Sequence, residues 1–332
     1  MQLCTSCGKR PAQFFRRSSG EKLCLPCLFR SIEDKVRRTI REEGMIEPGD
    51  RVAIAISGGK DSLVLLDVLG RLHKKGYFRG VEFEAFTINE GHPYSCFYRM
   101  GRTDFVKRLA GEYGIPYSVY TFKEVFGHSA LEVAERLWKN NVDVHMCTID
   151  GVLRRRAMNL IGKKRGWTKI ATAHNLDDEA QTVMLNVLMG NLKRFAWFNL
   201  EDAEEKDLIR RIKPLKHIRE EEIALYAHYH GIPFMELECP YVYNNPRYNL
   251  KFLLAELEGR MPNVKYNLLS VGRQLAEMLG AGGGAYSRCK YCGAPSAREV
   301  CRACELFERA GLLESYLKNI SSYLKSDTTA FV

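Results

Sequence analysis

The eleven cysteines are the first chemistry in this chain of 332 residues, and their spacing sorts them. Eight form four Cys-x-x-Cys pairs: Cys4 and Cys7, Cys24 and Cys27, Cys289 and Cys292, Cys301 and Cys304. Two such pairs close together supply four soft thiolates, the set that a structural Zn²⁺ takes in tetrahedral geometry. In a reducing compartment cysteines at this spacing bind metal more often than they form disulfides. Each group of four therefore reads as a zinc ribbon, whose folding energy comes from the metal rather than from a core. Cys96, Cys147 and Cys239 stand alone; Cys96 has no partner in sequence and reads as structural.

A second chemistry lies in Ser57-Gly58-Gly59-Lys60-Asp61-Ser62. Adjacent glycines let the backbone approach a phosphate and turn its N–H groups towards it. A helix opening directly afterwards adds partial positive charge where the anion sits. Lys60 can neutralise phosphate, and Ser57 and Ser62 can donate hydroxyl hydrogen bonds. It is not a Walker A loop, which needs glycine at Ile54 and Ser or Thr directly after the lysine. Further along, Ala171-Thr172-Ala173-His174-Asn175-Leu176-Asp177-Asp178 leads into another helical pattern. Asn175 suits an N-cap and the two aspartates suit a first turn, which is a purely structural reading. A third segment joins Cys147 and Asp150 to Arg154, Arg155 and Arg156; charge runs of that kind are usually a solvated face, or phosphate contacts when the substrate is RNA.

These residues need a scaffold. Apolar β-branched stretches at Arg51 to Ile56, Phe83 to Ile88, Tyr117 to Phe122 and Thr168 to Thr172 read as strands. Helical spacing falls between them at Asp61 to Leu72, Tyr98 to Glu112, Ile149 to Lys164 and Asp177 to Leu188. That alternation predicts an α/β fold with a parallel sheet, with ligands at the carboxyl ends of its strands. The expected organisation is an N-terminal ribbon at 1–30 with a mobile basic loop containing Arg16 and Arg17. A linker helix follows at 31–47 (Ser31 to Glu43), then a nucleotide domain at 48–215. A helical extension at 216–278 carries Cys239, with helices at Glu220 to His230 and Tyr248 to Leu257. A Gly-rich linker at Leu279 to Ala285 leads to the second ribbon at 286–310 and a tail at 311–332, loose from Ser321.

Hydrophobic content of 45% and charged content of 27% suit a globular protein. Apolar runs such as Val52 to Ile56 and Leu63 to Leu66 are far too short to span a membrane, and cysteines interrupt any signal-peptide core. A cytoplasmic location without membrane contact is expected. The net charge of +10 favours a polyanionic partner.

The Ser-Gly-Gly-Lys-Asp-Ser loop resembles the pyrophosphate loop of the ATP pyrophosphatases, which cleave ATP between the α and β phosphates. Ala173-His174-Asn175-Leu176-Asp177-Asp178 is similar to the Gly-His-Asn-x-Asp-Asp motif of their sulfurtransferase branch, with Ala173 in place of glycine. His145-Met-Cys147-Thr-Ile-Asp150-Gly151-Val-Leu-Arg154-Arg155 resembles the Cys-x-x-Cys-Gly-x-x-Arg-Arg segment of the tRNA 2-thiolation enzymes. Glu238-Cys239-Pro240-Tyr241 resembles the segment with their third cysteine. The chain looks most like the cytoplasmic and archaeal group acting on wobble uridine 34; a sister group acts at position 54.

This resemblance, spanning nearly the whole chain, implies an adenine-nucleotide α-hydrolase-like domain that binds ATP and Mg²⁺ and thiolates tRNA. It assigns ATP to Ser57, Gly58, Gly59, Lys60, Asp61, Ser62, His174, Asp177 and Asp178, and tRNA to Arg154, Arg155 and Arg156. In these enzymes three cysteines hold a [4Fe–4S] cluster, but here Asp150 stands at the second position. Either Asp150 joins Cys147 and Cys239 in holding a cluster, or the two cysteines relay sulfur as a persulfide and a resolving thiol. The family also implies a ubiquitin-like thiocarboxylate sulfur carrier, and a homodimer or a heterodimer with a paralogue stays open. A catalytically silent tRNA-binding paralogue is the non-enzymatic alternative. Lysidine-type chemistry on tRNA is another, and it would leave Cys147 and Cys239 idle.

Overall fold

The computed structural model describes residues 2–191, 195, 208–233, 240–242, 246–279 and 287–326. It begins with a hairpin in which β1 (Phe14–Arg16) pairs antiparallel with β2 (Glu21–Leu23), between the first two cysteine pairs. The sulfurs of Cys4, Cys7, Cys24 and Cys27 lie within 4.8 Å of one another, a spacing and donor set that suit tetrahedral Zn²⁺. The following helix, Leu25–Glu42, starts inside the second pair rather than at Ser31. Cys24 is its N-cap residue and Pro26 sits in its first turn, where proline's missing N–H costs nothing.

The main sheet has five parallel strands in the order β5-β4-β3-β6-β7. They are β3 (Arg51–Ala55), β4 (Glu82–Asn89), β5 (Tyr117–Thr121), β6 (Lys169–Ala171) and β7 (Arg210–Ile212). Four match the expected positions. The fifth, Arg-Arg-Ile, has no apolar run to announce it; it forms because β6 offers a free edge, with Ala171 opposite Ile212. The middle strand β3 is apolar on both sides, as burial beneath two helical layers requires. Val52 and Ile54 face a core with helices Leu25–Glu42, Lys60–Lys74, Thr103–Glu112 and Glu220–Tyr229. Ala53, with Phe86, Ile88 and Ile170, faces a second core with helices Phe122–Phe126, Ala130–Lys139 and Met146–Arg165.

The ribbons cap opposite faces of this sheet. Cys4 and Cys24 belong to the first core, while Cys289 and Cys304 belong to the second. The second ribbon pairs β8 (Ser287–Arg288) with β9 (Pro295–Ser296), and its four sulfurs also lie within 4.8 Å of one another. The expected loose tail is not loose through Lys325. Helix Leu313–Lys325 buries Tyr316, Ile320 and Tyr323 in the second core, because its apolar residues recur at helical spacing. Tyr316 stacks on Phe307 with ring centroids 4.0 Å apart. Beyond Leu279, the Gly-rich linker falls outside the described residues.

The expected mobile loop also proves anchored. Arg16 is buried, and its guanidinium donates to Glu222 at 2.8 Å, Glu21 at 2.7 Å and Ser31 at 2.7 Å. Glu222 is fully buried on helix Glu220–Tyr229, so this pair locks the first ribbon to the nucleotide domain. Removing one partner of such a pair strands the other charge. Arg16→Met is expected to lower unfolding stability by about 3–5 kcal/mol, read from urea denaturation. An unchanged midpoint would refute the anchoring role.

Candidate active site

Directly after β3 the chain turns through Ser57, Gly58 and Gly59 into helix Lys60–Lys74. Gly58 has φ +82°, and a Cβ there would lie 3.0 Å from the Tyr98 carbonyl oxygen, so only glycine fits. The loop is tied by its own hydroxyls. Ser57 N–H donates to Ser62 Oγ at 3.1 Å, and that hydroxyl donates to the Gly59 carbonyl at 2.9 Å. Arg102 fastens the loop from outside by donating to the Gly58 carbonyl at 3.1 Å. The helix's first amides have no intrahelical partner, which leaves a preformed anion cradle.

Above this cradle a cavity of about 310 Å³ is lined by Ile56, Phe86, Ile88, Met158 and Ala173 on its apolar side. Ser57, Asp61, His174 and Asp178 supply its polar side. That lining suits a purine with its ribose and phosphates. Thr172 donates to the Ile212 carbonyl and so receives the His174 Nδ1–H at 3.0 Å, which leaves His174 Nε2 an acceptor. Although the ring opens onto the cavity, surrounding protein desolvates it; with Lys213 nearby, its pKa falls to about 4 and it is neutral near pH 7. Burial, then the Asp61 charge, pushes Asp178 up to about 7. Asn175 holds both carboxylates: its side chain donates to Asp61 at 3.0 Å and its backbone N–H donates to Asp178 Oδ2 at 3.2 Å. Two carboxylates lining a cavity beside a phosphate cradle fit a Mg²⁺ site.

A second cavity, of about 530 Å³, adjoins the first and shares Ser57, Asp61, Arg99, Arg154 and Asp178 with it. Its far wall holds Cys147 and Asp150, one turn apart on helix Met146–Arg165. Cys147 Sγ donates to the Tyr241 carbonyl at 3.3 Å. Glu90, fully buried, fixes the floor by pairing with Arg99 at 2.9 Å and Arg154 at 2.7 Å. Despite the cost of its burial, those two guanidiniums hold its carboxyl below the usual range. Tyr94 stacks on Tyr98 at 5.2 Å along one side.

Several expected residues sit elsewhere. Lys60 lines neither cavity; its ammonium is held by Glu220 at 2.8 Å and Asp61 at 3.2 Å, which raise its pKa against the opposing effect of burial. Asp177 points away, accepting from the Glu220 amide at 2.9 Å and pairing with Lys265, so it docks helices rather than nucleotide. Arg154, Arg155 and Arg156 do not form one basic face, since successive helical residues turn about 100°. Arg154 enters the cavities, Arg155 is exposed, and Arg156 donates to Tyr316 at 3.2 Å beneath the second ribbon. Cys96 is exposed, not buried. Cys239 falls outside the described residues. Glu90, His92, Tyr94, Tyr98 and Arg99 were not anticipated; the polar run after β4, at the carboxyl end of a central strand, was the available signal.

The chain was compared with known proteins. A family model described as PP-loop domain matches residues 29–247. Cytoplasmic tRNA 2-thiolation protein 1 of Drosophila melanogaster is 33% identical over 308 residues, which cover 92% of this chain and 87% of that one. Its counterpart in Laccaria bicolor is 32% identical over 309 residues, 92% of this chain and 85% of that one. Among solved structures, the U34-tRNA thiolase NcsA from Methanococcus maripaludis, described with its [4Fe–4S] cluster, matches with a TM-score of 0.77. It is 30% identical, over 93% of this chain and 96% of that one.

Asp178 supplies a pH test. Its folded pKa of about 7 lies above the ordinary 3.8. Its stabilising contribution is therefore complete below the unfolded value and is lost as pH rises through about 7. Asp178→Asn is expected to raise the thermal midpoint of the nucleotide-free protein at pH 8, to flatten its decline between pH 4 and 8, and to weaken Mg²⁺-dependent ATP binding. A variant midpoint at or below wild type at pH 8 would contradict the assignment.

Proposed function

This chain belongs to the PP-loop family of tRNA 2-thiolation proteins, and from that premise we propose that it is an ATP-dependent tRNA uridine 2-sulfurtransferase acting at wobble uridine 34 in the cytoplasm. One observation carries the reading: a phosphate cradle with a purine-sized cavity opens directly into a second cavity walled by a thiol. Activation and sulfur delivery then occur within one enclosure. The U34 specificity named for the archaeal thiolase favours that position over position 54. The loop geometry favours an enzyme over a silent paralogue, because a scaffold has no need of a position that admits only glycine beside an anion cradle.

ATP occupies the upper cavity with its phosphates on the amides after Gly59 and on Ser57. Uridine O2 attacks the α-phosphorus, the bond to the β-phosphate breaks and pyrophosphate leaves. Arg99 and Arg154, held rigid by Glu90, face the charge that builds at this step and need no reorganisation to stabilise it. Asp61 and Asp178 would hold Mg²⁺, which would supply further charge neutralisation on the phosphates. Tyr94 and Tyr98 offer the splayed-out base a stacking surface. A sulfur nucleophile then adds at C2, the C2–O2 bond breaks, and AMP departs carrying the former uridine oxygen. Exposed Arg155 and Lys163 take tRNA phosphates, and a ubiquitin-like thiocarboxylate protein supplies the sulfur.

The donor set also fits an iron–sulfur group. Asp150 Oδ1 is buried without a hydrogen-bond partner among the described residues, and Cys147 is one turn away on the same helix face. Cys147, Asp150 and Cys239 hold the cluster in this reading, and when bound it supplies a soft site that presents sulfur as a nucleophile. The two four-cysteine groups hold structural Zn²⁺.

Incubation of the anaerobically prepared protein with ATP, tRNA and sulfide is expected to yield AMP, pyrophosphate and 2-thiouridine at U34, read by nucleoside mass spectrometry. Gly58→Ala should slow AMP formation about 100-fold, the scale of losing a preorganised anion site. Cys147→Ser should retain pyrophosphate release and lose both AMP and thiouridine. ATP cleavage without tRNA modification by the wild type would overturn the proposal.

A further inference from the structure

The two oxygens of Asp150 have unequal surroundings. Oδ2 is 3.2 Å from His92 Nε2, whereas Oδ1 is buried with no hydrogen-bond partner among the described residues. A buried carboxylate oxygen left unpaired is costly, so this one suits a ligand, and Asp150 is part of the wall of the second cavity. His92 is fixed from its other side. Its Nδ1 accepts the Ser95 N–H at 3.2 Å, so the neutral ring carries its proton on Nε2 and donates it to Asp150. The ring is 3% exposed, and its edge meets Tyr241 with centroids 5.8 Å apart. Tyr241 is the residue whose carbonyl receives the Cys147 thiol.

Resting on the reading of Cys147 and Asp150 as cluster ligands, we infer that His92 is a positioning residue for Asp150. Its N–H occupies Oδ2 and leaves Oδ1 as the one oxygen available to iron, which makes the carboxylate a single-point ligand like the thiolate that it stands for. A carboxylate is a harder and weaker donor to such a cluster than a thiolate. An outer-shell hydrogen bond that fixes its orientation offsets part of that weakness. His92 itself contacts neither iron nor substrate in this assignment.

The test is anaerobic reconstitution of the full chain with ferrous iron and sulfide, followed by the rate of iron loss to a chelator and by Mössbauer spectra. Zinc content and the thermal midpoint report folding. His92→Phe is expected to lose iron about 10-fold faster than wild type, the lower end of typical outer-shell effects. His92→Gln, which keeps an N–H donor, should recover most of that loss. Asp150→Cys should retain iron at least as well as wild type, and adding His92→Phe to it should change nothing further, because no carboxylate remains to be oriented.

A His92→Phe protein as retentive as wild type overturns the inference. So does a His92→Phe effect that persists at full size beside Asp150→Cys, since that marks a general structural role. If Asp150→Cys retains iron and wild type does not, the roles of Asp150 and His92 fall while the cluster reading for this fold stands. If neither retains iron, the cluster reading itself falls.

Discussion

A single buried acid, Glu90, sets the arrangement on which the catalytic enclosure depends. It follows β4 with no exposure to solvent, and it is tied to Arg99 in the short helical segment Cys96–Met100 and to Arg154 on helix Met146–Arg165. A buried charge without partners is untenable, so the two arginines are held close to it. Both also line the two cavities, so one requirement of local electrostatics places positive charge at their junction. If Glu90 were apolar, the two guanidiniums would repel each other in the same small space and the junction would open.

The architecture around that junction distributes support to both sides. Each four-cysteine group joins a different core, so the first ribbon braces the face of the sheet that carries helix Lys60–Lys74. The second braces the face that carries helix Met146–Arg165. Those two helices supply the phosphate cradle and the thiol wall respectively. Docking is specific at both ends: Arg16 reaches Glu222 across 206 residues of sequence, and Arg156 reaches Tyr316 across 160. A metal held by such a four-cysteine group would stiffen a scaffold whose strands are short, β6 and β7 having three residues each.

Charge in the site is also divided by task. Lys60 and Asp177 look by type like phosphate and metal residues, yet each is spent on holding helices together. Asp61 and Asp178 keep their carboxylates at the cavity wall, where burial and then the Asp61 charge keep a proton on Asp178 that an arriving cation would displace to solvent. His174 stays neutral beside them and presents an acceptor rather than a third charge.

The sequence alone determined what depends on local chemistry. Four Cys-x-x-Cys pairs implied two ribbons, because ligand spacing is a local property. The Ser57 to Ser62 run implied an anion cradle, because only paired glycines give that backbone. Alternating apolar strands and helices implied the parallel sheet that was found. Only the tertiary structure decided which polar residues face the site. Helix rotation sent Arg154 inward, Arg155 to solvent and Arg156 to the second ribbon, and no single-residue property distinguishes them. Likewise Glu90 and His92 owe their importance to partners 64 and 58 residues away (Arg154 and Asp150), and β7 exists only because β6 left an edge to pair with. Long-range pairing carries the remainder of the site, and such pairing leaves no periodic mark in a sequence.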